Sequence, residues 1–174
     1  MMPGMQTQDG IGQIQERSVL VLVVNWNGAD MTRDCCASLA AQTHRNLHVR
    51  VVDNGSTRDT VEALRAACPG AEVVGTGRNL GFAGGVNAGL RAGEGAAPFD
   101  YVWLLNNDTV CDPDALGRLL SAAEADRRLA AVGCAMREAD GRGGERRVAA
   151  GKRLRPPPHL PLDPREDETP DYIC

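Results

Sequence analysis

Short β-branched runs that break off on polar residues constrain this chain more than any other feature. Ser18 to Val24 is almost continuous in Val and Leu and stops at Asn25, the pattern of a strand buried on both faces. Similar runs recur at Leu47 to Val52, Glu72 to Val74, Tyr101 to Leu105 and Leu129 to Cys134. Segments of helical period lie between and after them: Met31 to Ala41, Thr57 to Ala67, Phe82 to Arg91 and Pro113 to Ala125. This alternation predicts βαβ units, right-handed crossovers and a mostly parallel sheet with helices on both faces, a three-layer αβα fold of the α/β class. Ser56 with Asp59, and Asp112 before Pro113, read as helix starts; Pro69-Gly70 and Gly93 read as helix ends, Gly93 in the left-handed conformation.

Composition narrows the function classes. The 174 residues suit one domain, and 43% hydrophobic residues are enough for a core. A net charge of −4 and 3% aromatics argue against nucleic acid as a partner, because phosphate binding wants a basic face and base stacking wants rings. The six cysteines never form C-x-x-C, so zinc ribbons and redox motifs are unsupported, and the thiols are expected to be reduced. No cationic-apolar leader opens the sequence and no apolar run nears the roughly 20 residues a bilayer crossing needs. The expected location is cytoplasmic, with peripheral association at the inner face of the membrane left open.

Three segments are expected: a flexible 1–17, a nucleotide-binding domain over 18–135, and an Arg/Gly- and Pro-rich loop over 136–174. Six of the ten prolines fall between Pro156 and Pro170, and Asp171-Tyr172-Ile173-Cys174 begins like a strand and stops. A loop of that length leading into an unfinished element predicts a missing C-terminal half.

Ligands of open parallel sheets bind beyond the carboxyl ends of the strands, and there the sequence is polar four times over. The clusters are Asn25-Trp26-Asn27-Gly28, Asp53-Asn54-Gly55-Ser56, Gly77 to Gly85 and Asn106-Asn107-Asp108-Thr109. Each has a plain structural reading as a turn, a helix cap or a close-packing glycine. Asp53 is redundant for turning a chain that already has Asn, Gly and Ser behind it, and a strand-end carboxylate suits an imide or ribose hydroxyl of a nucleotide. The glycines that open the third helix, Gly84 and Gly85 among them, suit the approach of a diphosphate to exposed N–H groups. This segment lacks the Lys-Ser/Thr of a P-loop, and it follows the wrong strand for a dinucleotide fingerprint. Asp108 reads as a ligand for Mg²⁺ or Mn²⁺ that shares the cation with substrate phosphates, with Asn106 adding a neutral oxygen.

In this order, V-V-N-W-N-G, V-D-N-G-S-T-R-D, R-N-L-G-F-A-G-G-V-N-A-G and W-L-L-N-N-D-T resemble the motifs of the inverting family 2 glycosyltransferases of GT-A fold, and among them the rhamnosyltransferase-like branch. The resemblance covers roughly 18–135 and implies a Rossmann-like GT-A nucleotide-binding half. It implies transfer of a hexosyl or rhamnosyl group from a UDP- or dTDP-sugar to a glycan or lipid-linked acceptor, as in cell-wall polysaccharide biosynthesis. Asp53 would contact the base, while Asn25, Trp26, Asn27, Gly28 and Asn54 would line the nucleoside pocket. Asn79, Gly84, Gly85 and Asn87 would surround the nucleotide sugar, beside Asn106 and Asn107. Asp108 would match the last position of the family's D-x-D metal motif, whose first position is Asn106 here. No residue is assigned as catalytic base. The acidic run Asp163, Glu166, Asp167, Glu168 reads as a solvated loop, and the base is expected beyond Cys174, so that the chain would bind donor and transfer poorly. The rival readings are a catalytically incomplete nucleotide-sugar-binding fragment and, behind it, a sugar nucleotidyltransferase, which would want a basic loop where Trp26-Asn27-Gly28 has none.

Overall fold

The computed structural model describes residues 14–93, 98–126, 128–139 and 145–149. The chain divides into two units, Gln15–Ala41 with Arg45–Cys111, and Met1–Ile14 with Gln42–His44 and Asp112–Cys174. The first unit holds β1 (Val19–Asn25), α1 (Ala29–Ala40), β2 (Leu47–Asp53), α2 (Val61–Ala67), β3 (Glu72–Gly75), α3 (Gly81–Arg91) and β4 (Tyr101–Asn106). Its sheet has the order β3-β2-β1-β4 and every pairing is parallel, as the alternation predicts.

β1 lies between β2 and β4, and Val19 to Val23 are at most 3% exposed. A fully buried aliphatic side chain is worth about 1.5–3 kcal/mol, so this strand supplies a large share of the core. The chain steps outward from β1 to β2 to β3 and then returns through α3 to β4. Right-handed crossovers therefore place α1 and α2 on one face and α3 on the other. On the α3 face, a Cβ on Gly89 would stand 2.8 Å from Val52 and 3.0 Å from Leu22, so this helix lies against β1 and β2 without a side chain between.

That placement explains a departure in β4, which is expected to be buried on both faces. Trp103 and Leu105 are buried, whereas Val102 and Leu104 are 46% and 47% exposed, because α3 covers β1 and β2 rather than β4. In the middle of β2, the buried Arg50 donates from Nε to Glu72 (2.7 Å) and from Nη1 to the Gly89 carbonyl (2.6 Å), so its charge is paired. Ser18 and Arg17 hold Asp100, which ties the segment before β1 to the start of β4. Residues 14–17 of the N-terminal stretch expected to be flexible thus include bonded positions, and 1–13 lie outside the described residues.

The second unit contains α4 (Ala115–Ala125) and an antiparallel pair, β5 (Met136–Ala139) with β6 (Glu145–Ala149). Gln42 secures the start of α4, donating to the Asp112 carbonyl (2.7 Å) and accepting from the Leu116 N–H (3.0 Å).

Several local expectations are corrected. The Leu129–Cys134 run forms no strand: its Ala and Gly content leaves Val132 as its one β-branched residue. Part of the expected Arg/Gly-rich loop pairs instead, as β5 and β6. The helix expected from Ser56 starts at Val61, capped by Thr60, whose Oγ1 accepts from the Ala63 N–H. The N–H groups of Ser56, Thr57 and Arg58 already bond Asp53 and Asn27. α4 begins two residues after Pro113, with Asp114 at the N-cap. Gly93 does not take the left-handed conformation, since Ala92 closes α3 in ordinary helical geometry. Cys35, Cys36, Cys68 and Cys111 carry free thiols. The Pro-rich stretch, the acidic run at 163–168 and the strand-like 171–174 lie outside the described residues.

Candidate donor site at the strand ends

Parallel register brings the strand ends together: Asn25 pairs with Asp53, and Val24 with Asn106. The clusters after β1, β2 and β4 therefore meet at one edge, although up to 82 residues separate their members in sequence.

Asn25 is fully buried and joins the three. Its Nδ2 donates to Ser56 Oγ at 3.1 Å and, more weakly, to Asp53 Oδ1 at 3.4 Å. Its Oδ1 accepts from the Gly28 N–H (3.2 Å), Thr32 Oγ1 (2.9 Å) and Asn107 Nδ2 (3.4 Å). Asn107 reaches inward and also donates to the Gly28 carbonyl and Thr32 Oγ1. Gly28 is buried beneath it, and a Cβ there would stand 2.6 Å from Asn107 Nδ2. Asn27 adopts a left-handed φ of 56°, which Asn tolerates, and its Oδ1 accepts from Thr57 and Arg58 N–H groups. Trp26 is 56% exposed.

Asp53 is 6% exposed. Its Oδ1 accepts from Asn25 and from the Ser56 N–H, while Oδ2 receives no hydrogen bond from the described residues and is not sealed from solvent. A strand-end carboxylate is thus oriented through one oxygen and left with acceptor capacity on the other.

The β2 and β3 loops are locked together. Asn54 accepts from the Leu80 N–H (3.0 Å) and donates to the Gly81 carbonyl (3.0 Å) and to Asn79 Oδ1 (3.3 Å), which itself accepts from the Gly81 N–H. The amide oxygens of Asn54 and Asn79 therefore already serve the loop. Gly85 is buried, with its would-be Cβ 2.9 Å from Val24 and 3.4 Å from Asn54, so it permits helix to meet sheet; Gly84 faces Leu80 of its own turn. Asn87 is exposed and makes no hydrogen bond to the described residues.

Asn106, the last residue of β4, and Asp108 beyond it are exposed, and neither side chain bonds a described residue. Among the described residues no group of three or more His, Cys, Asp or Glu gathers to hold a metal. One free carboxylate beside a free amide fits a cation that takes most of its oxygens from a diphosphate, and does not fit a site built of protein ligands alone.

The family profile described as glycosyl transferase family 2 matches residues 20–174. The chain belongs to that family. An N-acetylglucosaminyl-diphospho-decaprenol L-rhamnosyltransferase of Mycobacterium tuberculosis is 33% identical over 128 residues, 70% of this chain and 42% of that protein. The chain thus spans about two-fifths of that relative's length. A mannosyltransferase from Pyrobaculum calidifontis, solved with GDP-Man and Mn²⁺, superposes with a TM-score of 0.61 at 26% identity, covering 70% of this chain and 36% of that one. TarS of S. aureus, residues 1–349 solved with UDP, superposes at 0.56 with 23% identity, covering 73% and 38%, and shares the fold.

In this family 2 chain, four residues beyond the sequence-assigned set organise the site: Thr32, Ser56, Asp59 and Thr76. Ser56 Oγ accepts from Asn25 and from the Asn27 N–H, and Asp59 accepts from the Ala29 N–H at the start of α1. Thr76 Oγ1 bonds the Asp53 and Arg78 carbonyls. Thr32 had a legible signal, a hydroxyl on the same buried stripe of α1 as Cys35 and Leu39, where a polar group needs a partner.

Proposed function

We propose that this chain provides the donor-binding half of an inverting glycosyltransferase. The donor is a UDP- or dTDP-sugar, and the acceptor is a glycan or lipid-linked sugar. The observation that carries the reading is Asp53, whose Oδ1 is fixed by Asn25 and Ser56 while Oδ2 stays open at the strand-end edge. An acceptor placed there suits the imide N–H of uracil or thymine. The motif resemblance and the rhamnosyltransferase relative support the reaction class, and the UDP and GDP-Man bound to structural neighbours support a nucleotide donor.

Trp26, exposed on the loop after β1, and Asn87, exposed on α3, would contact the donor, and the N-terminal turn of α3 would offer N–H groups to its phosphates. Asp108, with Asn106, would hold a Mg²⁺ or Mn²⁺ on the diphosphate; such a cation neutralises charge on the leaving group. No helix among the described residues is long and apolar enough to cross a membrane. A lipid-linked acceptor would bring a cytoplasmic enzyme to the inner membrane face without one.

Calorimetric titration with UDP, dTDP and GDP tests the reading. Asp53→Ala is expected to weaken UDP or dTDP binding by about 1.5–3 kcal/mol, the range for a hydrogen bond to a charged group. A folded variant that binds as the parent does would remove Asp53 from the site.

A further inference from the structure

Asn25 is placed by the resemblance in the nucleoside pocket, yet it is 0% exposed and both its amide atoms are bonded to protein. We propose that Asn25 is a positioning residue that sets the two ends of the donor site from one side chain, its Nδ2 orienting the base-binding Asp53 and its Oδ1, through Thr32 and Asn107, fixing the loop that carries Asp108. The proposal rests on the donor-site reading and deepens it.

The two halves of the amide have different partners. The Nδ2 side holds the β2 loop, through Ser56 Oγ and Asp53 Oδ1. The Oδ1 side gathers the Gly28 N–H, Thr32 Oγ1 and Asn107 Nδ2, and Asn107 has a second contact with the Thr32 hydroxyl at 3.2 Å. Asn107 directly precedes Asp108, so its amide is the side-chain link from this network to the loop after β4. Asp108 itself bonds no described residue, which leaves its position to the backbone that Asn107 holds. Asn suits this post because it alone among small side chains offers a donor on one side and a two-lone-pair acceptor on the other. An aspartate keeps the acceptor and loses the donor, placing a second carboxylate against Asp53. Thr32 has the complementary role: its hydroxyl bonds Asn25 Oδ1, the Gly28 carbonyl and Asn107 Nδ2, and neither Asp53 nor Ser56.

The test is a split between two binding measurements. UMP or dTMP without metal reads the base end; the additional affinity that Mn²⁺ confers on UDP or dTDP reads the diphosphate end. In Asn25→Asp, monophosphate binding is expected to fall about tenfold while the Mn²⁺-dependent gain stays within about twofold, since like charges oppose each other at Asp53 and the Oδ1 contacts persist. In Thr32→Val, of equal shape, the monophosphate should bind within about twofold of the parent and the Mn²⁺-dependent gain should drop about fivefold or more. Asn107→Ala should repeat the Thr32→Val pattern and keeps the proposal testable if either other variant fails to fold. Parallel loss of both quantities in folded variants would make the network a general scaffold and overturn the proposal, as would no loss in either. A parent chain that binds no nucleotide would overturn the donor-site reading itself, a result distinct from any pattern among the variants.

Discussion

Gly55 faces the backbone of Arg78 so closely that a Cβ at residue 55 would stand 2.2 Å from the Arg78 carbonyl carbon. Its φ of +73° is left-handed as well, so the β2 loop needs glycine here for both space and conformation. Because a backbone atom rather than a flexible side-chain tip is in the way, relief requires the β3 loop to move. Gly55→Ala is expected to destabilise the protein by about 2–4 kcal/mol and to weaken nucleotide binding, since Asn54 and Asp53 flank the displaced turn. Urea unfolding measures the first effect, and a midpoint within error of the parent would mean that the two loops separate freely.

Asp108 is exposed and bonds no described residue, which predicts a clean separation of stability from binding. Asp108→Asn should leave the unfolding free energy within about 0.5 kcal/mol, as for other surface substitutions free of contacts. The Mn²⁺-dependent part of UDP binding should be lost while UMP binds almost as before. Calorimetry with and without the metal decides it, and a full metal effect in the variant would assign the cation elsewhere.

Two carboxyls predict how stability responds to acid. Asp100 is held below its ordinary value by hydrogen bonds from the Ser18 N–H and hydroxyl, with Arg17 adding attraction. For Glu72, partial burial pushes upward, but hydrogen bonds from Arg50 and His48 and their charges outweigh it, and the net direction is down. A depressed folded value means that the unfolded chain takes up the proton first as pH falls. The stabilisation is therefore complete above about pH 5, where the unfolded carboxyls are ionised, and is lost as pH falls through the unfolded range near 4 towards the lower folded values. Urea midpoints should stay level from about pH 7 to 5 and drop below about 4. The drop should be shallower in the Asp100→Asn, Glu72→Gln double variant, and an equally steep drop there would place the acid sensitivity in other groups.

Cys35 is fully buried, and its Sγ donates to the Asn106 carbonyl at 3.9 Å. Burial first, then the nearby Cys111, Cys68 and Asp108, push this thiol up to about 12. The thiolate is the reactive species, so a maleimide at about pH 8 should leave Cys35 unmodified in the folded protein and label it in urea. Peptide mass spectrometry reads the site, and labelling of Cys35 at the rate of a free thiol would show that α1 opens from the sheet.

The strand-helix alternation, the parallel pairing of β1 to β4 and the four polar strand ends were legible in the sequence, because buried parallel strands read as mainly apolar runs that end where the chain turns back; the order of the strands was not. Helix starts were less so. Ser56 and Asp59 have the chemistry of a cap, but tertiary partners on the β1 loop claim those groups, and Thr60 takes the post. The Leu129–Cys134 run is apolar enough for a strand and has too few β-branched residues to form one.

Sequence alone determined which residues stand at the carboxyl edge of the sheet. Only the tertiary structure decided which of them turn outward. Asn106, Asn107 and Asp108 are neighbours of similar size and polarity, yet Asn107 is drawn in by Asn25, Thr32 and the Gly28 carbonyl while Asn106 and Asp108 stay exposed. The physical reason is that an amide drawn out of water must find partners, and those partners come from β1 and α1, which only the parallel register places beside the end of β4.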